Sequence, residues 1–231
     1  MPMDRESRRE KKQLDTQEEI KTAAWNYISQ HGATSLSLRA VASSLGLSAP
    51  ALYRYFPSKN HLVLALIHDA FLSLRDALDA SLIPIPQASW DDQLRCLGHA
   101  YRDWAIAQSE SFFLIFGDPV PGYLGPPDEL LPVAGQSLRV LIEVIRKAAV
   151  AGALRLPLEP APNQHLQISL KAWSDAIHKT DPDILYLAFI IATRVQGLML
   201  AELGRQLPPF FPDGSGLFER ELERIILDIR G

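Results

Sequence analysis

A single cysteine, Cys96, stands in a chain of 231 residues. That excludes an internal disulfide framework and any zinc site built on several cysteines, and one free thiol fits a reducing compartment. Long apolar runs are missing too. The longest, Ile184–Ala192 (ILYLAFIIA), is followed closely by Arg194 and falls far short of the roughly 20 residues a bilayer span needs. The opening MPMDRESRREKKQLD is charged and has no apolar stretch, so no secretory signal and a cytoplasmic protein without membrane association are expected. No phosphate loop, HExxH, CxxC or nucleophile elbow occurs, and the DGSG at 213–216 is an isolated loop. His61 and His68 lie seven apart, too far for a metal pair, and Cys96 has no base near it in sequence. His99 with Asp103 four residues on reads as a surface hydrogen bond. The expectation is a protein that is not an enzyme and uses no cofactor or metal.

What is present is enough apolar material, 47% of the chain, to bury a sizeable core. The net charge of −4 is unevenly spread: residues 1–60 hold nine Lys and Arg against six Asp and Glu, and the remainder holds fourteen against twenty-one. An N-terminal module facing phosphate would produce that asymmetry. Strand-like alternation persists nowhere, and glycine and proline cluster between stretches of helical spacing, so the fold class is all-α. Thr16 with Glu19 reads as a capping box opening a first helix striped by Ile20, Ala23, Ala24, Tyr27 and Ile28 and stopped by Gly32. A second helix runs from Ser37 to Gly46, with Leu38, Val41, Ala42 and Leu45 as its stripe. Ser48 caps a short third helix with Pro50 in its first turn and Leu52 and Phe56 facing inward, and Pro57 closes it. A long fourth helix spans 58–80, and IPIPQ at 83–87 breaks the chain. Further helices are expected near 90–109, 136–153, 163–179, 183–207 and 215–230, with a Pro/Gly-rich connection at 117–135. The implied organisation is a basic arm at 1–14, a three-helix domain at 15–60 and a helical domain at 61–231, the fourth helix linking the last two.

Helices two and three leave room between Leu45 and Leu52 only for a tight turn, which makes a helix-turn-helix. The first turn and outer face of helix three then stand free to enter a major groove of double-stranded DNA. Ser48, Ala49, Pro50 and Ala51 are small enough for close approach. Arg54 can fork onto a guanine or hold a phosphate. Tyr53, Tyr55 and Lys59 carry donors where phosphates lie, and Arg39 points to the same side. Arg5, Arg8, Arg9, Lys11 and Lys12 could lie along the backbone or enter a minor groove.

Residues 20–64, IKTAAWNYISQHG through SLRAVASSLGLSAPALYRYFPSKNHLVL, resemble the DNA-binding domain of the TetR family of transcriptional regulators. The resemblance implies base or phosphate contacts from Arg39, Ser48, Ala49, Pro50, Ala51, Tyr53, Tyr55 and Lys59, with Arg54 at a variable position within that surface. FFLIFGDPVPGYLGPP (112–127) and ATRVQGLMLAELGRQLPP (192–209) resemble a TetR C-terminal domain named for a Trp-His-Gly signature. Here Ala192 and Gln196 stand at the Trp and His positions, and only Gly197 remains.

Such a family implies an α-helical C-terminal domain that dimerises and binds an effector. Leu166, Leu170, Trp173 and Ile177 are spaced 4, 3, 4, and Ile184, Ala188, Ile191, Val195 and Leu198 are spaced 4, 3, 4, 3. Joined by a short loop, these two seams make a hairpin whose apolar face is expected to pair with its two-fold mate in a homodimer. Aromatic and convergent polar groups in the middle helices are the candidates for a pocket holding a small apolar effector: His99, Arg102, Trp104, Phe112, Phe113, Phe116, Tyr123 and His178. The expected protein is a ligand-responsive repressor released from a palindromic operator. The alternatives are an activator or ligand-independent regulator and, more remotely, an all-α enzyme.

Overall fold

The computed structural model describes residues 5–123, 125, 127–156, 162–176 and 179–231. Ten α-helices and one 3-10 turn (Ala33–Ser35) make up the regular structure of these residues, which contain no strand, only an isolated bridge between Leu154 and Arg230. The α-helices are α1 (Arg5–His31), α2 (Leu38–Ser44), α3 (Ala49–Tyr53), α4 (Lys59–Leu82), α5 (Trp90–Ala107), α6 (Ser109–Phe116), α7 (Pro127–Val150), α8 (Gln164–Ala176), α9 (Pro182–Leu203) and α10 (Ser215–Ile229). The chain divides into two compact units. One holds the residues up to Phe71 with Glu110–Val133, and the other holds Leu72–Ser109 with Ala134–Gly231. The division falls within α4, which runs unbroken from Lys59 to Leu82.

Two starts differ from the sequence expectation for identifiable reasons. Helix α1 begins at Arg5, and Thr16 is no cap: its hydroxyl lies in mid-helix and donates to the Lys12 carbonyl at 2.9 Å. Arg, Lys, Glu and Gln ahead of it are good helix formers, so the capping-box pattern falls inside a longer helix. Helix α7 begins at Pro127 and carries Pro132 in its interior. A proline there removes one hydrogen bond and bends a helix without always ending it.

In the first unit, Ile20, Ala24 and Ile28 of α1 meet Val41 and Ala42 of α2, Leu52 of α3, and Leu62, Val63 and Leu66 of α4 in one buried core. Leu114 and Val120 join it from the later segment. Lys21 ties α1 to α4: its ammonium lies 2.7 Å from both Asp69 and Glu18.

In the second unit, α5, α9 and α10 are stapled pairwise. Arg95 of α5 forks onto Glu223 of α10 at 2.6 and 3.1 Å. Arg102 of α5 reaches Glu202 of α9 at 2.6 Å. Arg194 of α9 reaches Glu221 of α10 at 2.6 Å. The hydrogen bond from Arg95 holds the Glu223 carboxyl below its usual range. These pairs contribute little net energy where they are exposed, but each fixes which turn of one helix faces which turn of the next. Gly98 lets α5 and α10 come together, since a Cβ there would stand 2.8 Å from Leu222 Cδ2.

Helix α9 has the length and mean hydropathy of a membrane span, 1.8 over its most apolar window, yet one side of it is core. Leu185, Ala188, Ile191, Val195 and Met199 are buried, and α9 packs on α8, α10 and α5. This corrects the assignment of the apolar seam. Leu170, Ile184, Ala188, Ile191 and Val195 are at most 7% exposed within the single chain, so they serve its own core. Leu166, Trp173 and Leu198 are half-buried, and Ile177 lies outside the described residues. Spacing of 4 and 3 identifies a buried face but not what covers it. The large apolar side chains left exposed on this hairpin are Ile168 and Phe189. Ile191→Glu is therefore expected to unfold the chain rather than merely separate subunits, at a cost of about 4 kcal/mol or more for an unpaired buried charge. Urea denaturation checks this; a soluble variant of unchanged stability would contradict it.

Candidate nucleic-acid interface

The geometry of the N-terminal unit starts from a turn. The N–H of Gly46 bonds to the Ser43 carbonyl and that of Leu47 to the Ala42 carbonyl, the paired bonds that end a helix through a left-handed residue. Gly46 supplies that residue with φ +64°, a conformation costly for any side chain with a Cβ. Two residues on, Ser48 in extended backbone caps α3, its Oγ accepting from the Ala51 N–H at 3.4 Å. Pro50 occupies the first turn of α3, where its missing N–H harms nothing. Leu52 is completely buried and Phe56 nearly so, so the short helix is pinned from beneath. At the start of α4, Ser58 Oγ and His61 Nδ1 are 2.7 Å apart, and the His61 N–H also bonds back to Ser58.

What remains outward is the surface of interest. Ser48, Pro50, Tyr53 and Arg54 on α3 and its end are exposed, as is Arg39 in the first turn of α2. Tyr53 is 45% exposed. Ala49, Ala51 and Lys59 are half-buried. Tyr55 differs from its neighbours, since its ring is half-buried against the core and only an edge of the residue remains for a partner. The small residues at the start of α3 permit close approach of its backbone, and Tyr53 and Arg54 carry the donors. This is the arrangement a groove-entering helix requires.

The residues proposed for an effector pocket are shared between the two units. Phe112, Phe113 and Phe116 form an aromatic cluster in the N-terminal unit, with centroids 5.7 Å apart for Phe112–Phe113 and 5.4 Å for Phe112–Phe116. Phe71 of α4 meets Phe116 edge-on at 6.0 Å. Tyr123 packs on the same unit's core, its hydroxyl enclosed with no hydrogen-bond partner among the described residues. Burial, with a lesser push from Glu129, raises its phenol above the ordinary value. His99, Arg102 and Trp104 belong to the other unit. Trp104 Nε1 donates to Ser73 Oγ at 3.1 Å. The Arg102 guanidinium lies over the Phe218 ring and is paired with Glu202, and His99 is 3.4 Å from Glu219 on the surface. His178 lies outside the described residues. No cluster of His, Cys, Asp and Glu suited to a metal occurs among those described.

Sequence reasoning missed an open groove along α1, lined by Asp15, Glu19, Ala23 and Tyr27 and by Leu45 at the end of α2. Its signal was available, because these α1 positions share one helical face.

Comparison with known proteins agrees with this geometry. Residues 20–66 match the family described as bacterial regulatory proteins, tetR family, and residues 94–225 match the tetracyclin repressor-like C-terminal domain. The HTH-type transcriptional regulator Rv1816 of Mycobacterium tuberculosis is 36% identical over 132 residues, 57% of this chain. The matched stretch spans 56% of that regulator's length. A solved regulatory protein, SCO4313, is 31% identical, with 97% of this chain and 98% of its own covered and a TM-score of 0.73. FadR of Bacillus subtilis, solved in complex with stearoyl-CoA, shares the fold at 12% identity and a TM-score of 0.66, with 90% and 96% covered. The chain belongs to the tetR family of bacterial regulatory proteins.

Proposed function

We propose that the chain is a cytoplasmic, homodimeric transcriptional repressor that leaves a palindromic operator when a small apolar effector binds. The observation that carries DNA binding is the division of α3: Leu52 and Phe56 are buried, while Ser48, Pro50, Tyr53 and Arg54 face outward. A helix held so firmly from below presents its free side in one orientation. Specificity then comes from a few base-edge contacts, and most of the affinity from phosphate neutralisation.

Dimerisation is assigned to the outward faces of α8 and α9, where Ile168 and Phe189 are exposed. Gly197 on the same helix is exposed and has nothing within 4 Å of its Cβ position, which leaves room for a close helix approach. Support for an effector comes from the C-terminal family match and from FadR, a fold neighbour that holds stearoyl-CoA. The aromatic cluster of Phe71, Phe112, Phe113 and Phe116 suits an apolar molecule. Helix α4, about 36 Å long at 1.5 Å per residue, would carry the response, since the reading domain and the rest of the chain share it. Ligand and DNA must then weaken each other by the same factor.

Arg54→Ala is expected to weaken operator binding about 5- to 150-fold if the guanidinium reads a base. Tyr55→Phe, which keeps the half-buried ring, should cost less than tenfold. Fluorescence anisotropy on an operator recovered from a random duplex pool measures both, and unchanged affinity for both variants together with Tyr53→Ala would remove the assignment of α3. Phe189→Glu should yield folded monomers in sedimentation, and a persistent dimer would exclude that face.

A further inference from the structure

The connection between α9 and α10 contains LPPFFP at 207–212. Phe210 is 90% exposed, more than any other large apolar side chain among the described residues, and Phe211 is 42% exposed. Each forgoes the gain that burial out of water would bring. The loop that carries them is nevertheless built rather than slack. Where α9 ends, the Arg205 N–H bonds to the Glu202 carbonyl at 3.1 Å and the Gln206 N–H to the Ala201 carbonyl at 2.8 Å, the paired bonds that close a helix. Arg205 holds the left-handed backbone this needs, at φ +54°. The Phe211 N–H then bonds to the Pro208 carbonyl at 3.0 Å. That bond closes a turn with Pro209 at its second position, the one proline favours. At the far end, Asp213 accepts from the Ser215 N–H at 2.8 Å. Gly214 is buried against Glu202, which leaves no room for a Cβ, and Arg102 holds Glu202 at 2.6 Å. Prolines and two anchored ends thus present Phe210 on a short turn, with little freedom to lose on binding.

We propose that this turn is a clasp: Phe210 packs on the α8–α9 face of a second copy of the chain and completes the dimer interface. It rests on the assignment of dimerisation to the outward faces of α8 and α9. Two features identify a second copy as the occupant. First, the loop leaves from that face. Phe189, Thr193, Gly197 and the C-cap Gly204 are exposed and lie within about 80° of one another around α9 at 3.6 residues per turn. Second, the face is short of apolar surface. A stable interface buries about 800 Å² on each partner, and a side chain as large as Phe supplies at most about 250 Å². Ile168 and Phe189 are the large apolar groups exposed on the hairpin, and the pair falls short of that area. In a two-fold dimer the clasp acts twice, once from each subunit.

Sedimentation equilibrium of the full chain measures the dimer dissociation constant for wild type and for Phe210→Ser. Loss of one well-packed aromatic contact weakens association about tenfold. Each substitution is present twice in a two-fold dimer, so a loss of about 100-fold is expected. A photoreactive side chain at position 210, in a mixture of isotope-labelled and unlabelled chains, should form a mixed-label covalent dimer. Its cross-linked peptide should map to α8 or α9 of the second copy. An unchanged dissociation constant overturns the proposal, as does attachment confined to one copy or lying outside α8 and α9. Phe189→Glu separates this from the reading beneath it. If that variant leaves the dimer intact, the α8–α9 face is not the interface and the clasp falls with it. Monomers from Phe189→Glu beside an undiminished Phe210→Ser dimer remove the clasp alone.

Discussion

A helix of five residues has no stability of its own. Helix α3 holds its shape because Leu52 and Phe56 are sunk into a core made by α1, α2 and α4. Everything outward on α3 inherits its precision from that anchorage. Gly46 with its left-handed backbone and Ser48 with its cap fix where the helix starts, and the apolar pair fixes its rotation. Tyr53 and Arg54 are thus placed largely by groups buried beneath them.

The same division of labour appears in the second unit with different chemistry. There the helices are long enough to persist, and the question is which face meets which. Apolar burial answers part of it, as in the contact of Leu222 against Gly98. The Arg–Glu pairs between α5, α9 and α10 answer the rest by fixing the partner turns. The buried seam on α9 belongs to this assembly, which leaves the opposite face of that helix, with Phe189 and Gly197, as the surface still available.

The reading domain was legible in the sequence because its signals are local. A glycine that needs φ > 0, a serine cap, a proline in a first turn and two apolar residues four apart each act within a few residues, and the structure places them as their chemistry requires. Signals that depend on context were misread. Thr16 and Glu19 look like a helix start wherever they occur, and only the helix-forming run ahead of them shows otherwise. Pro132 looks like a break, but helix α7 passes through it. Ile184, Ala188, Ile191 and Val195 announce burial without saying whether the cover is a second subunit or the same chain. Trp104 is hydrogen-bonded to Ser73 and Arg102 to Glu202, long-range partners that composition does not reveal.

The central claim is that the outward face of α3 lies in a DNA groove. Its most direct measurement is site-specific photo-cross-linking, with a photoreactive side chain placed at position 53 and, as a control, at position 223 on α10. The account predicts covalent attachment to operator DNA from position 53, mapped to bases and phosphates of one half-site, and none from position 223. Attachment from position 53 only to protein, or equal attachment from both positions, would contradict it.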